Sequence, residues 1–392
     1  MRILFIHQYY NPEGGSGNDR TRYLAEYFGR QGHEVVVLTS LAKFPKGVGE
    51  NKTLDYSSGN VRVIGYPLEH THYLSYIKRL LVFGKFYQWV LQESGKLGQF
   101  DLVYACSTPL SVGEAGRRIA RKLQVPFIFE VQDVWPDAVY GLGIIQNPIL
   151  KKILDSFTRR IYQDASAIVA LSPDMIPMIN RLGDFAGKIL VSPNGTDTDM
   201  FYPAREKSGE RVEFVYAGAI GRANGLESLV RTIQILKKRE IKGLHFTILG
   251  NGNRYEEVRK LAEGLEDWIE WIPEVSKQFV PEILRRATIG LVWFAPVKEL
   301  ESNSANKFFD YLASGLPIFL NYGGWQAEVL RDAECGMFVL GNEVEVLADG
   351  LIEMTSDPIR LHDMGLNARE LALREYDREA LSRKVLACTK RS

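Results

Sequence analysis

The chain is poor in cysteine and has no excess of charge, and both absences narrow what it can be. Cys106, Cys335 and Cys388 stand far apart and form no CxxC pair. That argues against a disulfide framework or a zinc site and suits a reducing compartment. Lys plus Arg number 48 and Asp plus Glu number 48, so nothing in the overall balance attracts nucleic acid. No uncharged run approaches the roughly 18–20 residues of a transmembrane helix. The opening MRILFIHQYY is too short an apolar stretch for a secretory signal, and no small-residue cleavage site follows it. A cytoplasmic protein is expected, with peripheral membrane contact open. GxGxxG, HExxH and any Ser–His–Asp logic are also missing, so a dinucleotide fingerprint and the familiar hydrolase motifs are excluded.

What is present reads as a folded chain of two domains. At 392 residues it exceeds one ordinary domain of about 150–200 residues. Its 45% hydrophobic and 24% charged residues argue against disorder. Strand-like runs at Ile3–Ile6, Glu34–Thr39, Val61–Tyr66, Leu102–Ala105, Pro126–Val131, Ala167–Leu171 and Lys188–Val191 are separated by stretches long enough for crossover helices. A second series follows at Val212–Ala217, Leu244–Leu249, Trp268–Trp271, Ile289–Trp293 and Pro317–Leu320, with helical spacing at Leu226–Lys238, Arg254–Ala262 and Lys307–Ala313. Buried parallel strands alternating with helices predict α/β architecture, two Rossmann-like doubly wound domains facing a cleft. The polar stretch 193–210, with Pro203, reads as the connection. This divides the chain into 1–205, 206–365 and a helical segment 366–392 that is expected to pack back on the first domain.

Ligands of such sheets bind at carboxyl strand ends, and the motifs fall there. Asn11-Pro-Glu-Gly-Gly-Ser-Gly17 follows the first strand, where Gly14 and Gly15 permit tight turns beside a phosphate or sugar, or simply a strand–helix turn. Glu130 and Asp133, after PFIFEV, put carboxylates at the cleft mouth. Asp133 could orient an acceptor hydroxyl or steady positive charge at a sugar carbon, or merely cap a turn. Asp197-Thr-Asp199 sits in a turn and reads as structural sooner than as a metal-binding DxD. In the second half, Gly218, Gly221 and Gly250 allow a ligand near the backbone, and Arg222 offers a cation to a diphosphate. Ser302, Asn303 or Ser304 could cap a helix whose amides and Lys307 would meet a phosphate, with Asp310 one turn on to hold ribose hydroxyls. The bland alternative is an amphipathic helix with a solvated Lys–Asp pair. His70 and His72 read as surface residues for want of a third ligand. Tyr73–Trp89 mixes basic residues, aromatics and leucines, as a membrane-contacting helix or a core helix with a basic face would.

Taken in order, MRILFIHQYYNPEGGSG, RQGHEVVVLTS, SPNGTDTDMFYP, YAGAIGRANGLESL, LGNGNRYEEV and NKFFDYLASGLPI resemble the retaining GT-B glycosyltransferases of family 4, most of all bacterial members that build surface polysaccharides. The resemblance implies an acceptor-binding first domain and a donor-binding second one. It implies that Gly14 and Gly15 lie against the donor diphosphate or sugar, with Arg222, Lys307 and the amides near Asn306 balancing the phosphates. It further implies that Asp310 holds the ribose, that the backbone around Val275 meets uracil, and that Ser302, Asn303, Ser304 and Ala305 contact the donor sugar. Asp133 falls near the anomeric carbon. The family's pair of glutamates is altered: Asp310 takes the second place and Ser302 the first, with Glu301 adjacent. Ala219 and Asn224 replace the usual basic residues of the strand–helix loop, and Gln132 stands where a His is common.

The expectation is therefore a retaining transfer of a hexose, glucose from UDP-glucose as the single best choice, to a hydroxyl of a growing polysaccharide or lipid-linked oligosaccharide. The UDP-sugar is a co-substrate, and no cofactor or essential metal is expected. The alternatives are transfer of an N-acetylhexosamine or deoxyaminosugar, a UDP-sugar epimerase, and a non-catalytic sugar-nucleotide binder. Peripheral contact at the inner face of the plasma membrane is expected through Tyr73–Trp89.

Overall fold

The structure, a computed structural model, describes residues 1–12, 19–44, 52–68, 76–141, 143–204, 211–341 and 343–389. The chain divides into two compact units, Met1–Pro193 with Ser382–Ser392, and Asn194–Leu381.

The first unit is built on β1 (Arg2–Ile6), β2 (Glu34–Ser40), β3 (Leu54–Ser58), β4 (Val61–Tyr66), β5 (Leu102–Cys106), β6 (Phe127–Val131), β7 (Ala167–Ala170) and β8 (Ile189–Val191). They form one sheet in the order β3-β4-β2-β1-β5-β6-β7-β8, parallel except for the edge hairpin β3–β4. Its helices are α1 (Arg20–Arg30), α2 (Tyr76–Ser94), α3 (Leu110–Leu123), α4 (Asp137–Gly141), α5 (Pro148–Asp164) and α6 (Met175–Asn180). The central strands are apolar on both faces because both are covered: Val35, Val36, Val37 and Leu38 of β2 are all fully buried. Local chemistry sets helix starts, as where Asn147 accepts the Ile149 and Leu150 amides with Pro148 opening α5.

The second unit carries β9 (Val212–Ala217), β10 (Leu244–Leu249), β11 (Ile269–Ile272), β12 (Ile289–Val292), β13 (Ile318–Leu320) and β14 (Gly336–Phe338) in the all-parallel order β11-β10-β9-β12-β13-β14. Its helices are α7 (Leu226–Lys238), α8 (Tyr255–Leu261), α9 (Val280–Arg286), α10 (Asn306–Ala313), α11 (Trp325–Asp332), α12 (Val344–Thr355) and α13 (Pro358–Glu375). The last helix, α14 (Arg378–Thr389), is divided between the units.

The unit boundary differs from the expected 205/206. The second unit already begins at Asn194, because the side-chain amide of Asn194 donates to the Ser304 carbonyl at 2.6 Å and the Thr196 hydroxyl donates to Asp310 at 2.7 Å. The segment 366–392 also divides. Ala368, Leu371 and Ala372 of α13 lie in a core cluster of the second unit. Only the stretch from Ser382 joins the first unit, where Val385 and Leu386 are buried in the cluster of Ile3, Phe5 and Val37.

Candidate active site

In each sheet the strand order reverses at one point, between β1 and β5 in the first unit and between β9 and β12 in the second. Open parallel sheets bind ligands outside the carboxyl ends at such a point. The residues that follow these four strands are therefore the ones to inspect.

In the second unit the key group is Lys307, the second residue of α10. Its Nζ lies 3.8 Å from the centre of the Tyr216 ring and 5.9 Å from that of Phe294. Glycine at 218 makes the space, since a Cβ there would stand 2.7 Å from the ammonium. Burial alone lowers the Lys307 pKa from 10.5 to about 7, and no carboxylate among the described residues offsets that cost. The N-cap of α10 is Ala305, which brings no capping side chain, so the leading amides of Asn306 and Lys307 remain for an anion. Ser302, Asn303 and Ser304 do not cap the helix as expected. The Ser302 hydroxyl donates to the Glu299 carbonyl at 2.9 Å, the Ser304 hydroxyl accepts the Asn194 amide at 3.2 Å, and the Asn303 carbonyl accepts the Trp325 indole N–H at 2.9 Å. These contacts fix the path of 302–305 into α10 and leave Ser302 and Ser304 buried.

The glycine loops serve a purpose that the motifs did not reveal. Gly218 donates to the Leu249 carbonyl and Ile220 to that of Asn251, both at 2.9 Å. A Cβ at Gly250 would fall on the Gly218 carbonyl, and one at Gly252 on that of Ile220. The glycines at 250 and 252 thus admit the backbone of the neighbouring loop, and Gly218 admits Lys307. Arg222, in the first loop, is exposed and makes no ion pair with the described residues. Val275 is half-buried in the turn after β11.

Asp310 is not an open ribose acceptor in this structure. It is 8% exposed, with one carboxylate oxygen taken by the Thr196 hydroxyl at 2.7 Å and the other 3.5 Å from the Lys277 ammonium. It does not form a solvated pair with Lys307 either. Sequence reasoning missed Lys277 and Thr196, and Tyr216 as the seat of Lys307; none stands in a motif, and only the fold brings them together. Asp197 of the DTD triplet accepts the amides of Asp199 and Met200, the behaviour of a structural turn.

In the first unit, His7 and Gln8 follow β1, Ser107 and Thr108 follow β5, and Gln132 and Asp133 follow β6. Gly14 and Gly15, like His70 and His72, lie outside the described residues. Asp133 is exposed and accepts the Thr108 hydroxyl at 3.0 Å. The protein around it raises its carboxyl from the ordinary value and that hydrogen bond lowers it; its contact with solvent keeps the ionised form accessible. Glu130, expected to touch substrate, is instead wholly buried. One oxygen accepts the Tyr104 hydroxyl at 2.6 Å and pairs with Arg20 at 3.0 Å, while the other accepts the Gln132 amide at 3.0 Å. Arg20 continues to the Pro193 carbonyl at 2.7 Å. Glu130 is therefore an internal tie between β6, α1 and the end of β8. Beside it, burial pushes the His7 imidazole down from 6.5 to about 4, with the Glu130 charge opposing.

Comparison with known proteins agrees with this geometry. Residues 15–195 match the family described as "Glycosyl transferase 4-like domain" and residues 201–371 match "Glycosyl transferases group 1". WcaI of Escherichia coli K12, assigned to colanic acid biosynthesis as a glycosyl transferase, is 24% identical over 74% of this chain and 76% of its own length. A GDP-mannose-dependent α-(1-6)-phosphatidylinositol monomannoside mannosyltransferase of Mycobacterium tuberculosis is 25% identical over 49% of this chain and 53% of its own. Among solved structures, sucrose-phosphate synthase of Thermosynechococcus elongatus superposes with a TM-score of 0.80 at 17% identity, covering 100% of this chain and 98% of that one. Anabaena Alr3699/HepE in complex with UDP-glucose gives a TM-score of 0.69 at 14% identity, covering 100% of both chains. Two sheets of Rossmann order, each matched by its own half of one enzyme family, make this chain a member of the GT4 family of GT-B glycosyltransferases, retaining enzymes that draw on sugar-nucleotide donors.

Proposed function

We propose that this glycosyltransferase moves a hexose, glucose from UDP-glucose in the first instance, to a hydroxyl of a growing polysaccharide or lipid-linked oligosaccharide. The observation that carries the donor half is Lys307: a partly buried cation with no carboxylate partner, at the uncapped start of a helix, at the switch point of a parallel sheet. Such a group is built to receive an anion. When the bond from the sugar to the diphosphate breaks, negative charge grows on the departing β-phosphate. Lys307, the first amides of α10 and the exposed Arg222 neutralise it. A diphosphate oxygen can take the acceptor's proton, so no strong protein base and no metal are needed. Asp133 then steadies positive charge at the anomeric carbon or orients the acceptor.

The UDP-glucose complex of the Anabaena relative supports the choice of sugar, and the mycobacterial relative makes GDP-mannose the second reading. Transfer of an N-acetylhexosamine or deoxyaminosugar is the remaining alternative; family membership favours transfer over epimerisation or silent binding. A lipid-linked acceptor is supported by the outer faces of two helices of the first unit. Within the expected stretch Tyr73–Trp89, Phe86 and Trp89 are core residues, while Leu80 and Leu81 of α2 are 67% and 62% exposed beside Lys78 and Lys85. On α5, Ile149 and Ile153 stand exposed with Lys152, Arg159 and Arg160. Apolar side chains among basic ones suit the inner face of a plasma membrane. No described helix is long and apolar enough to cross a membrane.

Nucleotide release from UDP-glucose, UDP-galactose, UDP-N-acetylglucosamine and GDP-mannose, with and without a lipid-linked acceptor extract, tests this reading. Release from UDP-glucose, raised by the extract, is expected. Release from GDP-mannose alone would overturn the donor, and release indifferent to the extract would overturn the acceptor. Asp133→Asn should lower kcat while UDP affinity holds; loss of both together would remove Asp133 from the reacting centre.

A further inference from the structure

The helix α13 presents three large apolar side chains to solvent: Ile359, Leu366 and Leu373, exposed by 76%, 58% and 52%. They recur every seven residues, and a straight helix drifts only about 20° over that interval. They therefore form one narrow stripe along the helix. The opposite face, with Leu361, Met364, Ala368 and Leu371, is buried in the second unit. The rest of the outward arc is His362, Asp363 and Glu370, all exposed. A groove of about 650 Å³ borders the stripe, with Ile359, Arg360 and Asp363 on one side and Leu330, Met337 and Phe338 on the other.

We propose that this stripe is the seam of a two-fold homodimer in which α13 lies antiparallel against α13 of a second copy. A two-fold interface must be complementary to itself, and the stripe has that property. Leu366 stands at its centre with one apolar residue seven positions to each side. Antiparallel pairing sets Leu366 on the partner's Leu366, and Ile359 on the partner's Leu373, as in a coiled-coil seam. The same operation brings Arg360 level with the partner's Glu370. Arg360 makes no ion pair with the described residues, and Glu370 makes only a long one of 3.5 Å with Arg374. The two acidic residues on the arc distinguish this stripe from the all-basic outer face of α5 and disfavour an anionic membrane as its occupant. A pair of 18-residue helices spans about 27 Å, short of a standard interface of ~800 Å² per partner. The dimer is accordingly one of micromolar strength.

Sedimentation of the full chain from about 1 to 200 μM tests the seam. Wild type should pass from monomer to dimer within that range, and Leu366→Glu should weaken dimerisation about 100-fold. All the substituted positions are exposed, so the melting temperature of the monomer should stay put. Arg360→Glu and Glu370→Arg should each weaken the dimer, and the two together should restore it. Under mild oxidation Leu366→Cys should cross-link to itself, whereas Ile359→Cys should cross-link only when mixed with Leu373→Cys. A wild type that stays monomeric at 200 μM, or a dimer untouched by Leu366→Glu, overturns the proposal. Ile359→Cys cross-linking to itself overturns the antiparallel geometry. Loss of binding to anionic vesicles in monomeric Leu366→Glu would assign the stripe to a membrane instead.

Discussion

Nucleotide affinity should fall as pH rises through neutrality, for a reason that lies in one side chain. Burial against Tyr216 brings the Lys307 ammonium down from 10.5 to about 7. In the free protein about half the molecules then carry the charge at pH 7, and about one in a hundred at pH 9. A diphosphate binds the charged form, so above pH 7 each unit removes about 1.4 kcal/mol of binding, or about 100-fold between pH 7 and 9. The terminal phosphate of UDP ionises near pH 6, as phosphate esters do, and so does not mask the trend. Calorimetric titration of UDP at fixed ionic strength, in buffers of different ionisation enthalpy, reads affinity and proton uptake together. At pH 8 close to one proton should be taken up for each UDP bound. Lys307→Arg should be flat with pH because guanidinium stays charged. Lys307→Met should also be flat, but about 10–100-fold weaker at pH 7, the worth of a charge-assisted contact. A wild-type affinity constant from pH 7 to 9 with no proton uptake, or unimpaired binding by Lys307→Met, would refute the assignment.

Three further outcomes follow from the buried charges. Glu130→Gln leaves Arg20 buried without its counter-charge and should cost about 3–5 kcal/mol in denaturant unfolding, with Arg20→Met in the same chain recovering part of it. His7 is pushed from 6.5 to about 4, so on acidification the unfolded chain takes up the proton first. Its contribution is intact above pH 6.5 and drains away towards pH 4, by up to about 3 kcal/mol, and His7→Gln should flatten that limb of a melting-temperature profile. Asp310→Ala strands the Thr196 hydroxyl and the Lys277 ammonium and should cost about 1–3 kcal/mol, while Asp310→Asn, which keeps an acceptor for Thr196, should cost less. A larger loss of UDP affinity than of stability in Asp310→Asn would return Asp310 to the ribose.

Periodicity made most of the architecture readable. Val212–Ala217, Leu244–Leu249 and the helix Leu226–Lys238 coincide with β9, β10 and α7 to the residue, because strands buried on both faces and one-sided helices leave patterns within a few residues of chain. The edge strand β3, with most of its side chains partly or fully exposed, and the three-residue β14 carry no such pattern. The polar run before Val212 suggested a boundary near 205, yet Asn194 and Thr196 already bind into the second unit. The glycine loops were visible, but not that their glycines admit one another's backbone.

By itself the sequence determined the alternation of strands and helices, the two-domain plan, the family resemblance and the neighbourhood in which a phosphate would bind. The tertiary structure alone decided which charges in that neighbourhood are spoken for. Arg20 meets Glu130 across 110 residues and Thr196 meets Asp310 across 114, whereas Lys307 and Arg222 are left without carboxylates. Local pattern reports the conformation of adjacent residues, but hydrogen bonds and desolvation are set by groups distant in the chain that only the folded sheets bring within reach.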